Sequence, residues 1–161
     1  MDKKEFDNFF KSYSKNVDNA NKHGFWKLSD TIIMQIIKDN IPIDIDKENI
    51  ILDAGGGTGR WVCELSKSYD CNFILYDLSE DMLKQAKKNI KECEVENKVK
   101  IVKGDLIDMS ELKDESVDYI ISLYNPISFV YKKERAFKEL FRSWEERPFD
   151  SSRSRFGGAY R

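Results

Sequence analysis

Histidine is almost missing from this chain: His23 is the only one, in a polar stretch from Ser14 to Gly24. No partner for a general base is identifiable beside it, so it reads as a solvated residue, not as a base or a metal ligand. Cysteine is scarce too. Cys63, Cys71 and Cys93 form an odd set without C-x-x-C spacing. That excludes a disulfide framework and a zinc site of ordinary spacing, and it reads as free thiols in a reducing compartment. No metal is expected. Neither sign of charge dominates: 27 Lys and Arg against 29 Asp and Glu leave a net charge of −2. Such a balance gives no field to steer a polyanion, so nucleic acid is not indicated as a partner. No apolar run approaches membrane-span length, and Met1-Asp2-Lys3-Lys4-Glu5 leads into no signal-type apolar core. No membrane is therefore expected, and the cytoplasm is the default location. Internal repeats are also missing.

What is present organises itself around one stretch, Ile50-Ile51-Leu52-Asp53-Ala54-Gly55-Gly56-Gly57-Thr58-Gly59-Arg60-Trp61. Three apolar residues lead into an acid, then a glycine run, then a helical pattern. The order predicts a buried parallel strand, a tight turn and a helix N-terminus. The spacing is D-x-G-x-G-x-G. The dinucleotide fingerprint G-x-G-x-x-G would place its third glycine where Arg60 stands, which disfavours a nicotinamide-dependent oxidoreductase. Glycines suit a turn that accepts φ > 0 and lets a ligand approach the backbone. A chain of 161 residues, 40% hydrophobic and 35% charged, suits one domain with a sizeable core.

Strand–helix alternation continues from residue 49. Strands are expected near 50–53, 72–77, 99–102 and 117–123. A helix runs from the glycine loop to about Ser68, and a second is capped by Ser79 with Met82, Leu83, Ala86 and Ile90 buried. A last helix spans about Ser128 to Trp144, with Phe137, Leu140, Phe141 and Trp144 on one face. Before residue 49, Phe6, Phe9, Phe10 and Tyr13 predict an amphipathic helix over 3–14. A second helix is expected to be capped by Ser29 or Asp30, with Ile32, Ile33, Ile36 and Ile37 among its apolar positions, and to end at Ile41-Pro42. Alternation of this kind predicts an α/β fold with a Rossmann-like parallel sheet and flanking helices. Asp77 ends the second strand, 77 − 53 = 24 residues after Asp53. A carboxylate there can accept ribose hydroxyls.

The D-x-G-x-G-x-G stretch with Asp77 behind it resembles motif I and the ribose acid of the class I S-adenosylmethionine-dependent methyltransferases. The resemblance implies S-adenosylmethionine as cofactor. It implies that Asp53 lies near the amino-acid moiety and that Gly55, Gly57 and Gly59 wrap beneath the cofactor. Asp77 would take the ribose, Leu78 the adenine face, and Asp105 and Leu106 the adenine edge. At the end of the fourth strand, family members acting on adenine or glutamine amides carry Asn-Pro-Pro-Tyr or Asp-Pro-Pro-Tyr. This chain has Asn125-Pro126-Ile127-Ser128 and so departs from them. A small-molecule acceptor is expected instead, with Tyr124 and Asn125 on one side of its pocket and Phe10 and Tyr13 of the first helix on the other. For that helix, packing by its aromatic face alone is the favoured account over a cap on the crevice. No catalytic residue is assigned, because methyl transfer from a sulfonium needs chiefly an in-line, dry geometry.

The resemblance runs motif by motif over about 49–126. It fades after Glu139-Leu140-Phe141-Arg142, where composition also shifts. Five of the seven arginines lie in the last twenty residues and no lysine follows Lys138, so the charge changes from 22 − 26 = −4 to 5 − 3 = +2. A tail read out of frame relative to a longer ancestor and a natural divergent tail both fit. The expected layout is a helical cap over 1–48, a cofactor-binding α/β core over 49–144 and a divergent tail over 145–161. The competing reading is a shortened, non-catalytic module that holds S-adenosylmethionine or S-adenosylhomocysteine. The family's winding would order the strands 3-2-1-4 and leave the fourth on an edge. That edge would be covered by the tail or by a second copy in a homodimer.

Overall fold

The computed structural model describes residues 3–20, 24–42 and 44–144. His23 and the tail over 145–161 lie outside them, so the expectations placed on those residues lie outside the described structure. Four parallel strands form one sheet in the order β3-β2-β1-β4: β1 (Ile50–Ala54), β2 (Asn72–Asp77), β3 (Val99–Lys103) and β4 (Tyr119–Ile121). The expected order is the observed one. Leu52 of β1 pairs with Ile74 of β2 and with Ile120 of β4, and Tyr76 of β2 pairs with Val102 of β3.

The central strands β1 and β2 are apolar along most of their length because both faces of the sheet are covered, whereas the edge strand β3 carries exposed Lys100 and Lys103. On one face Ile51, Phe73 and Leu75 pack with Val62 and Leu65 of α4 (Arg60–Leu65) and with Leu83, Ala86 and Ile90 of α5 (Glu80–Glu92). Ile37 of α3 (Gly24–Asn40) closes the same face. On the other face Leu52, Ile74 and Tyr76 meet Leu106, Met109 and Leu112 from the coil after β3. Ala136 and Leu140 of α6 (Lys133–Ser143) complete that layer. Helices α1 (Lys3–Tyr13) and α2 (Val17–Ala20) precede this core. Among the described residues no helix is long and apolar enough to cross a membrane.

Several boundaries differ from the sequence expectation. Helix α3 begins at Gly24, so Ser29 and Asp30 lie inside it and do not cap it. Asp30 spends its carboxylate on Arg60 and Tyr124 instead. Ile37 is buried, but Ile32 and Ile36 are 55% and 56% exposed. Strand β4 is shorter than 117–123, and Val117 makes an isolated parallel bridge to Trp144. The expected last helix splits: a 3₁₀ turn covers Pro126–Phe129 and α6 starts at Lys133. Its buried side is Ala136, Leu140 and Ser143, whereas Phe137 and Phe141 are largely exposed. Two of its three buried residues, Ala136 and Ser143, are small.

Candidate functional site

The C-terminal ends of the four strands open into a cleft of ≈ 1150 Å³. Ligands bind at this end of open α/β sheets because strand order reverses there and the loops diverge. Asp77 ends β2 and stands at the centre. Its Oδ2 accepts the Gly57 N–H at 2.9 Å and its Oδ1 accepts the Ser79 N–H at 2.8 Å. The Ser79 hydroxyl in turn caps α5 by accepting the Met82 N–H. The carboxylate is thus fixed by backbone before any ligand reaches it. Burial raises the Asp77 pKa, and the N–H groups of Ser79, Gly57 and Leu78 oppose that rise.

The glycines divide into different duties. Gly57 has φ +56°, and a Cβ built there would meet nothing within 4 Å, so the space above it is open. Gly55 has φ +76° and is pressed by Pro126, whose Cβ would lie 2.3 Å from an added Cβ. The loop after β4 therefore rests directly on the glycine loop. Tyr124 and Asn125 reach that position through left-handed backbone, with φ of 59° and 71°, a conformation costly for non-glycine residues and concentrated at functional sites. Gly59 faces Leu75 and Ile90, lies off the cleft wall, and lets α4 close on the sheet. Of the three glycines expected beneath the cofactor, Gly55 and Gly57 line the cleft and Gly59 does not.

Asp53 ends β1 and is 1% exposed. Its Oδ2 has no hydrogen-bond partner, and the Trp61 Nε1 beside the cleft has none either. Burial pushes the Asp53 pKa up from 3.8 to about 7; the Asp77 carboxylate adds to the rise and Arg60 opposes it. Cys63 and Cys71 are buried thiols. Burial pushes Cys71 to about 12, so it is inert at neutral pH.

Leu78, Asp105 and Leu106 all line the cleft, as does Tyr124. Leu78 is 44% exposed. The Asp105 Oδ1 accepts the Ile107 N–H at 3.1 Å, which shapes the turn after β3. Phe10 and Tyr13 line the opposite wall together with Phe9. Phe9 and Tyr13 stack at 5.5 Å, and Phe10 meets Phe129 edge-on at 5.6 Å. The first helix is thus a wall of the cleft and does more than pack, contrary to the favoured expectation. Asn125 is outside the lining; its carbonyl accepts the Ser128 hydroxyl and backbone N–H, which holds the 3₁₀ turn.

Two networks escaped the sequence reading. Arg60 pairs with Asp30 at 2.5 Å, its guanidinium lies 5.1 Å from the Trp61 ring and 5.2 Å from the Tyr124 ring, and the Tyr124 hydroxyl donates to Asp30 at 2.5 Å. Thr58 donates to Asp18 of α2 at 2.7 Å, and Asn89 of α5 donates to the same carboxylate at 2.9 Å. Both tie the N-terminal helices to the glycine loop.

These residues fit an adenosyl amino acid. Open space over Gly57, a fixed carboxylate at Asp77 and two orphaned polar atoms at Asp53 and Trp61 ask for a polar ligand with a cationic end. Comparison with known proteins agrees. The model of a family described as a methyltransferase domain matches residues 51–146. A tRNA (guanine-N(7)-)-methyltransferase of Rubrobacter xylanophilus is 32% identical over 100 residues, covering 60% of this chain and 44% of the relative. A crystal structure from Methanococcus maripaludis, described as an S-adenosyl-L-methionine-dependent methyltransferase, superposes with a TM-score of 0.74 at 28% identity. It covers 91% of this chain and 63% of that one. The [4+2]-cyclase SpnF shares the fold with a TM-score of 0.68 at 15% identity, over 78% of this chain and 44% of SpnF. The chain therefore spans less than two thirds of the length of these relatives.

Proposed function

The chain belongs to the methyltransferase-domain family, with S-adenosylmethionine as the cofactor, and from that premise we propose that it methylates a small molecule. The observation that carries this reading is the continuity of one cleft, which joins Gly57 and Asp77 to the aromatic wall of Phe9, Phe10 and Tyr13. Its ≈ 1150 Å³ exceeds the range of about 300–1,000 Å³ usual for one small ligand, so a second molecule has room. Asp77 would hold the ribose hydroxyls, Leu78 the adenine face, and Asp105 and Leu106 its edge. Asp53 would face the amino-acid end. The cofactor supplies an electrophilic methyl group. The protein's part is to place an acceptor in line with it and to keep water out, and proximity supplies much of the rate. The aromatic wall and Tyr124 serve that purpose by presenting rings in place of solvated side chains.

Tritiated cofactor offered with small-molecule, RNA, DNA and protein pools tests the proposal. Label in the small-molecule pool is expected. Label confined to RNA would instead favour the chemistry named for the Rubrobacter relative. Binding of S-adenosylhomocysteine with no label in any pool would favour the competing module that binds without turnover. That reading draws support from the shortened span of the chain. For the assembly, we propose that two copies meet across the β4 edge, where Ile120, Phe137, Phe141 and Trp144 line an apolar groove.

A further inference from the structure

Asp53 is a buried acid with an oxygen that no described residue satisfies. Its side chain packs beneath Gly56, where an added Cβ would lie 2.8 Å from the Asp53 Cγ and Oδ2. The chain there has no room for a side chain at position 56, while Asp53 itself lines the floor of the cleft. Oδ2 has no partner. The charged groups that face it come from two elements. Asp77 at the end of β2 repels an Asp53 carboxylate, and Arg60 at the start of α4 attracts it. Arg60, however, is engaged by Asp30 of α3 at 2.5 Å and lies against the rings of Trp61 and of Tyr124 after β4. Its charge is therefore shared with a nearer carboxylate. An ionised Asp53 would be buried, half unpartnered and beside a second acid. Keeping a proton is the cheaper state.

We propose that Asp53 carries a proton in the free protein and gives it up to solvent when a cationic ligand head reaches the floor of the cleft. Cofactor binding is then coupled to proton release, and Asp53 selects ligands for positive charge. The inference rests on the cofactor reading above. The balance is simple: a neutral acid and a cation become an ion pair, one O–H bond breaks, and the proton goes to the buffer. The raised Asp53 pKa of about 7 places the coupling in the neutral range.

Titration calorimetry of the purified chain with S-adenosylmethionine and with S-adenosylhomocysteine, in buffers of different ionisation heat, reads the coupling directly. At about pH 6 nearly one proton should leave per ligand bound, and the number released should fall as pH rises through about 7. Affinity should fall by up to roughly tenfold for each pH unit below about 7. Asp53→Asn should bind more weakly, with heats independent of buffer and an affinity flat across that range. A carbon-detected NMR titration of the wild-type carboxyl group guards against a variant that misfolds: the midpoint near neutrality should vanish in the complex. Buffer-independent binding at about pH 6 would overturn the inference alone. Release that persists in Asp53→Asn would do the same, because it would locate the proton on Asp77. Binding of neither ligand would remove the cofactor reading together with this inference.

Discussion

Asp77 accepts the N–H groups of Gly57 and Ser79 and lines the cleft. Asp77→Ala should weaken S-adenosylhomocysteine binding by about 1.5–3 kcal/mol, the scale of hydrogen bonds to a charged group, measured by calorimetry. Gly57→Val acts differently. It forces a β-branched residue to φ +56° and fills the open space above the loop, so binding should be lost while the fold, followed by circular dichroism, survives. Asp53 predicts an unusual stability profile. Its folded pKa of about 7 lies above the ordinary 3.8, so between those values the folded state binds more protons than the unfolded one. Stability of the free protein should therefore fall as pH rises through that window, by at most about 1.4 kcal/mol per unit from this group. Urea unfolding at about pH 5 and about pH 8 should show the slope in the wild type and a flatter line in Asp53→Asn. A wild type that gains stability over the range would contradict the assignment.

At the scale of elements, α6 is tied to the coil after β3 by Arg142 and by Glu139, which accepts the Met109 N–H at 3.0 Å. Arg142 donates to the Met109 and Leu112 carbonyls at 2.8 and 3.0 Å and pairs with Asp114 at 2.6 Å and Glu139 at 2.8 Å. Arg142→Ala leaves two carbonyls without their donor and should lower unfolding stability by about 1–3 kcal/mol, seen as a shifted urea midpoint. The same scale explains what could be read in advance. The strand–glycine–helix unit and the acids at Asp53, Asp77 and Asp105 were legible, because a parallel sheet brings every strand's C-terminal end to one side. Arg60 with Asp30, and Thr58 with Asp18, were not, since partners 30 and 40 residues apart leave no local period. The α6 stripe misled for a related reason. Phe137 and Phe141 dominate any hydrophobic pattern, but the buried positions next to Leu140 are Ala136 and Ser143, chosen for size.

For the molecule as a whole, the unsettled surface is the β4 edge. Among the described residues, only Tyr119–Ile121 are in the ladder, and the Val117–Trp144 bridge covers its beginning. Beside it lies an apolar groove of ≈ 390 Å³ that also takes in Ile41, with Phe137 48% and Phe141 67% exposed. A short edge strand next to exposed aromatic rings is a template for another chain. The opposite edge, β3, differs in character: Lys100 and Lys103 stand exposed on it, and Lys103 pairs with Glu80. Lysine on an edge discourages pairing, so association should be polarised toward β4. Light scattering at about 100 µM should find the wild type as a dimer. Phe137→Asp with Phe141→Asp should return it to a monomer, because two desolvated carboxylates per chain cannot be accommodated in such a contact. Neither ring lines the cofactor cleft, so the double variant should bind S-adenosylhomocysteine as the wild type does. A wild type that remains monomeric at that concentration would remove the second copy as the occupant of this edge. It would leave the cofactor cleft, at the far end of the strands, unaffected.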